Sequence, residues 1–208
     1  MKKGLVLILL LGLFTSGCDV VKVKRPEQPR IHRLKPANLG FEEGDPGEVI
    51  PGWWYGPEMA RTHVIEVVDD VKRSGLQGAH IRNRRGEAPW GSFNQDYMGS
   101  VFAGKTVRVK AWIKVEGAET CEPCNKPNLD ESALPEDPRR GAQIRVLGYG
   151  PNGGVTETLV TPLVMGSSDW TLFEAVTSMP SDIENGIVSP ILWGPGQAWF
   201  DDIEVVVE

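Results

Sequence analysis

Lys105-Thr106-Val107-Arg108-Val109-Lys110-Ala111-Trp112-Ile113-Lys114-Val115 decides the fold class. Val107, Val109, Ala111, Ile113 and Val115 recur with a period of two and are assigned to a core. Lys105, Arg108, Lys110 and Lys114 are assigned to water. Alternation over this length is the mark of a strand with one wet face, because successive side chains leave a strand on opposite sides. Residues 62–68, 78–83, 143–149, 170–177, 187–193 and 198–207 read as further strands, with 143–149 repeating the alternation of 105–115 less regularly. Turn chemistry separates them at Asp45-Pro46-Gly47, Ser74-Gly75, Ala103-Gly104, Asn152-Gly153-Gly154 and Gly194-Pro195-Gly196. Beyond the N-terminal segment, no window of 11 residues shows helical spacing. Eight or more short strands joined by turns predict an all-β, antiparallel sandwich over residues 38–208.

Composition agrees. Among 208 residues there are 24 Gly and 16 Pro, with seven Trp against three Tyr. That mix suits short strands and aromatic contact surfaces rather than helices. Residues 118–141 break the strand pattern with four prolines, six acidic residues and the pair Cys121 and Cys124, and read as an inserted loop. A loop of this length is unusual enough to be functional, although a solvated excursion fits equally.

The first residues address the chain. Met1-Lys2-Lys3 precedes an apolar run from Leu5 to Phe14, and Thr15-Ser16-Gly17-Cys18 follows. This is a secretion signal over residues 1–17, since the run is too short for the roughly 20 apolar residues of a membrane span. The residues before Cys18 resemble the lipobox of bacterial lipoproteins, with Thr15 standing where Leu is usual. The resemblance implies cleavage before Cys18 and lipidation of that cysteine. Residues 18–37 form a Pro-rich tether in which six Lys and Arg oppose two acidic residues. Such a segment is attracted to anionic headgroups, or serves as a plain spacer. The expected location is extracytoplasmic, anchored to a membrane by lipid, with inner and outer membranes both open. In such a compartment Cys121 and Cys124 are expected to form a disulfide. Free thiols and a redox or metal Cys-x-x-Cys are the alternatives, but no helix follows to lower a thiol pKa.

The two ends of the body share a family likeness. The first block is Asn38-Leu39-Gly40-Phe41-Glu42-Glu43-Gly44 with Pro51-Gly52-Trp53, and the last is Gly196-Gln197-Ala198-Trp199-Phe200-Asp201-Asp202-Ile203. Between them lie Pro89-Trp90, Ala103-Gly104-Lys105-Thr106-Val107 and Ser168-Asp169-Trp170. In order and spacing these resemble the jelly-roll carbohydrate-binding modules with a galactose-binding-like β-sandwich, of the kind attached to xylanases and glucanases. The resemblance implies a structural Ca²⁺ on Glu42 and Asp201. Hard oxygen donors from the first and last strands are sensible ligands for that ion. Phe200 and Ile203 both read as core positions although three residues separate them, which predicts a bulge at Asp201-Asp202. It also implies a glycan stacked on Trp90, with Tyr149 and Trp193 where a second aromatic is often found. Arg82 and Gln95 flank Trp90 with suitable hydrogen-bonding groups, as do Arg84 and Asn94. Trp53 is expected in the core, and Trp112, Trp170 and Trp199 lie in strands and are assigned there too.

These residues exclude some functions. The formal net charge is −6, and losing Lys2 and Lys3 with the signal takes it to −8, so no nucleic-acid partner is expected. No pair of carboxylates stands out by spacing, no Gly-x-Ser-x-Gly occurs, and His32, His63 and His80 have no triad or metal spacing. The expectation is a non-catalytic, membrane-anchored lipoprotein whose sandwich binds polysaccharide. An envelope structural or protein-interaction lipoprotein of the same fold is the alternative.

Overall fold

The computed structural model describes residues 36–84, 90–118 and 140–208. The signal segment, Cys18, all but the end of the tether, and both Cys121 and Cys124 lie outside the described residues. In chain order the elements are α1 (Pro57–Thr62), β1 (His63–Val68), β2 (Gly78–Asn83), β3 (Trp90–Ser92), β4 (Gln95–Met98) and α2 (Gly99–Phe102). Then come β5 (Thr106–Ala118), β6 (Gly141–Tyr149), β7 (Val155–Val160), β8 (Gly166–Ser178), β9 (Asn185–Trp193) and β10 (Gln197–Val207).

Two antiparallel sheets face each other. The first runs β1-β2-β10-β5-β8, and the second runs β3-β9-β6-β7 with β4 also paired to β9. The all-β sandwich expected from the turns and alternation is therefore the fold, and the seven strands read from sequence are all present. Three strands went unread, β3, β4 and β7. The first two have only 3 and 4 residues, too short to show a period. Both helices are shorter than two turns, and α1 starts at Pro57, whose fixed φ suits a helix start. Ala118 closes β5 and Gly141 opens β6, so both ends of the expected insertion belong to strands.

The core follows the ladder of β5. Val107, Val109, Ala111 and Ile113 are fully buried. Opposite them pack Ala142, Ile144 and Val146 of β6 with Val188 and Leu192 of β9. Phe41, Trp53 and Phe93 form an aromatic knot at one end, with ring centroids 5.3 to 6.0 Å apart. Burying rings of this size contributes on the order of 2 kcal/mol or more each. The Trp53 indole N–H donates to the Asn38 carbonyl at 3.1 Å, so its one polar group is satisfied. The expected irregularity in β10 is present, since its pairing with β5 shifts register between Asp201 and Glu204 and Asp202 adopts φ 46°. The bulge lets Phe200 and Ile203 both join the core.

Trp112 and Trp199 correct an expectation. Their neighbours Ala111, Ile113, Ala198 and Phe200 are the core residues, so both indoles turn to the outer side of the first sheet. There Trp199 stacks on His80 at 5.0 Å, and the Arg73 guanidinium lies 4.2 Å from the Trp112 ring centroid.

Candidate functional site

The outer face of the second sheet is built by the same alternation. On β6 the even positions enter the core, which turns Gln143, Arg145 and Leu147 outward. On β9 Val188 and Leu192 enter it, which turns Ile187, Ser189, Ile191 and Trp193 outward. Register then sets the rows across the sheet. Trp90 sits opposite Trp193, and Trp193 opposite Gly141. Ser92, Ile191 and Gln143 form the next row. Ser189 lies opposite Arg145, and Arg145 opposite Val160. Asp96, Ile187, Leu147 and Thr158 follow, and Met98, Asn185, Tyr149 and Val155 close the face.

This face has an aromatic end and a polar floor. Trp90 is 37% exposed, and its ring centroid is 6.4 Å from that of Trp193. The floor beside it is polar yet nearly closed to water: Ser92, Gln143, Ser189 and Asp96 are each below 5% exposure. Part of it is bonded internally, with Ser189 Oγ donating to Asn94 Oδ1 at 2.7 Å and Asn94 backbone groups pairing with Trp54. Gln143 is different, because its Nε2 is buried and meets no acceptor among the described residues. Exposed aromatic surface beside aligned hydrogen-bonding groups is how a site receives a flat, hydroxyl-rich ligand.

The fold sorts the residues named from sequence for this site. Trp90 and Trp193 are brought together. Tyr149 shares the face but lies at its far end, eight residues along the strand or roughly 27 Å. Gln95 is a correction: it is fully buried on the core side, opposite Val188. Its amide bonds both the N–H and the carbonyl of Ala37 and receives the Tyr97 hydroxyl at 2.6 Å, so it pins the segment entering the sandwich to β4. Arg82 is a second correction. It projects from β2 opposite Val64 and Gln197, on the outer side of the first sheet, away from Trp90. Adjacency in sequence misled because the chain changes sheet between β2 and β3. Gln143, Arg145 and Ser189 were missed. Their strands are buried on both faces, and such strands carry no alternation to mark an outward residue.

His63 lies directly beneath β3. It is buried, and a Cβ placed on Gly91 would fall 2.5 Å from its ring, so only glycine lets the strand pass. Burial, and then the nearby Arg84 cation, pull the imidazole pKa down to about 4. It is a neutral spacer under the Trp90 strand at physiological pH.

Glu42 and Asp201 arrive from opposite ends of the chain at one loop. Asp201 is fully buried, and its Oδ2 accepts the N–H groups of Arg73 at 2.8 Å and Ser74 at 3.1 Å. Its Oδ1 accepts the Asp202 N–H at 2.7 Å, and Glu42 Oε2 accepts the Leu76 N–H at 2.9 Å. Burial raises the Asp201 pKa, and the loop amides offset part of that rise. Three donors occupy three of about four acceptor positions on the Asp201 carboxylate, which leaves room for one further partner such as a hard cation. Among the described residues no group of three or more Asp, Glu, His or Cys converges as a metal cluster.

No family model matches the chain, and no curated protein matches it. Solved structures do. The CBM22-1 xylan-binding domain of Paenibacillus barcinonensis Xyn10C superposes with a TM-score of 0.51 at 12% identity, over 81% of this chain and 91% of that one. A CBM4 module gives 0.50 at 20% identity, over 83% and 99%. The enzymatically active domain of bacteriophage CBA120 tailspike protein 4 gives 0.54 at 10% identity, and there 83% of this chain spans only 21% of the other. The architecture of this chain is thus the jelly-roll β-sandwich of carbohydrate-binding modules.

Proposed function

We propose that this chain is a non-catalytic carbohydrate-binding module carried on a bacterial lipoprotein, and that it holds polysaccharide on the outer face of its second sheet. The observation that carries the reading is Trp90, exposed beside Trp193 above a polar floor. Sugars offer C–H faces to such rings and hydroxyls to such floors. The likeness to xylan-binding and other glycan-binding modules supports the same reading.

The test is affinity electrophoresis of the processed protein through xylan, mixed-linkage glucan and β-1,4-galactan. Retardation is expected on at least one. Trp90→Ala should weaken it about ten-fold or more, as truncating a central aromatic anchor does. Equal retardation of the variant would refute the platform, and no retardation of the parent on any glycan would favour the envelope or protein-contact alternative. The anchor is tested apart, because Cys18→Ala should release the protein from membranes.

Calcium at Glu42 and Asp201 belongs to the same proposal. A cation bound only by the folded state stabilises it, by about 2.7 kcal/mol at a hundred-fold excess over Kd. The melting temperature should therefore rise in calcium over chelator, and equal temperatures would remove the ion.

A further inference from the structure

We propose that Gln143 is a specificity-determining residue of the Trp90 face, donating its side-chain amide to an oxygen of the bound glycan. The inference rests on the glycan-binding reading above and adds a residue that the family likeness does not name.

Three observations converge. Gln143 is the first outward side chain along β6 after Gly141, the glycine opposite Trp193. It is the diagonal neighbour of Trp193, a separation that aromatic and long side chains bridge. Its surroundings then fail to satisfy it. Gln143 is 4% exposed, Ile191 beside it is fully buried and apolar, and its Nε2 finds no acceptor among the described residues. A buried N–H without a partner is a cost to the fold, and native interiors rarely leave one. Neighbouring Ser189 turns its hydroxyl proton to Asn94 Oδ1 at 2.7 Å rather than toward this amide.

A free fold that keeps an orphaned donor gains when a ligand supplies the acceptor. Discrimination follows, because a ligand with an oxygen at this point completes the amide and one without it leaves the amide orphaned.

The experiment compares Gln143→Met with the parent protein by glycan affinity and by thermal melting. Methionine keeps the length and volume, removes the donor, and removes the orphaned group. The two readouts should then move in opposite directions. Affinity for the preferred glycan falls about ten-fold, the ratio between preferred and poor glycans narrows, and the melting temperature rises or holds. Gln143→Glu, which keeps the shape but only accepts when ionised, should lose affinity as well.

Unchanged affinity in Gln143→Met would overturn the proposal. A fall in affinity and melting temperature together would also overturn it, since a packing role explains both. A parent protein that binds no glycan overturns the underlying reading and this proposal with it. Loss in Trp90→Ala with none in Gln143→Met overturns only this one.

Discussion

Along β5 the outer face of the first sheet is the opposite of the outer face of the second. On the first, β5 sends Arg108, Lys110 and Lys114 into water, where they meet Glu174, Glu204 and Asp169. On the second, β6 and β9 send out Gln143, Leu147, Ser189 and Ile191, and all four are buried or nearly so. A wet face needs only solubility and tolerates almost any polar residue. On a closed polar face every group left without a partner is a cost to the fold, so its residues are individually constrained. The same substitution should therefore behave differently on the two sides.

Ile191→Ala gives the largest contrast. Ile191 points away from the core yet is fully buried. Truncation should cost about 3 kcal/mol, the usual range for a buried large-to-small change. Urea unfolding measures it through a lower midpoint at constant slope. A loss below about 1 kcal/mol would mean that this face is wet after all, and the contrast would collapse.

Acid sharpens the comparison next. The folded-state pKa of His63, about 4, lies below its ordinary 6.5. The unfolded chain therefore binds the proton first, and the His63 contribution is fully present above pH 6.5 and is lost as pH falls toward 4. The span corresponds to roughly 3 kcal/mol. Asp201 has the opposite sign, because its raised pKa makes the folded state bind the proton more readily, so its contribution improves as pH falls toward 3.8. His63→Gln should flatten the loss between pH 6.5 and 4 in a series of unfolding midpoints. If the variant keeps the parent's pH slope, His63 is not the group beneath β3 that titrates.

The contrast also explains what could be read in advance. β5 was legible because one of its faces meets water, so Lys and Arg alternate with Val and Ile. The β10 bulge was legible because Phe200 and Ile203 cannot both be core residues at a period of two. Ile187-Val188-Ser189-Pro190-Ile191-Leu192-Trp193 gave its existence but not its sidedness, since both faces are covered. The aromatic half of the site could be found because Trp90 stood among turn residues. The polar half could not, because Gln143 and Ser189 are outward only by register, and register is a property of paired strands. Gln95 and Arg82 failed for the same reason: nearness along the chain says nothing about which sheet, or which face, a side chain joins.

The smallest effect belongs to the wet face. Lys110 lies between Glu174 on β8 and Glu204 on β10, and its Nζ is 3.4 Å from a Glu204 oxygen. More than half of Glu204 meets solvent, so water screens the pair and both side chains lose freedom to hold it. Lys110→Ala, Glu204→Ala and the double variant should each lie within about 0.5 kcal/mol of the parent in urea unfolding. The coupling from the cycle should be smaller still and should vanish in 1 M salt, where the screening length is about 3 Å. A coupling above about 1 kcal/mol that survives salt would show that the outer side of the first sheet is covered in solution. That side would then need a partner of its own, and the difference between the faces would be one of ligand rather than of exposure.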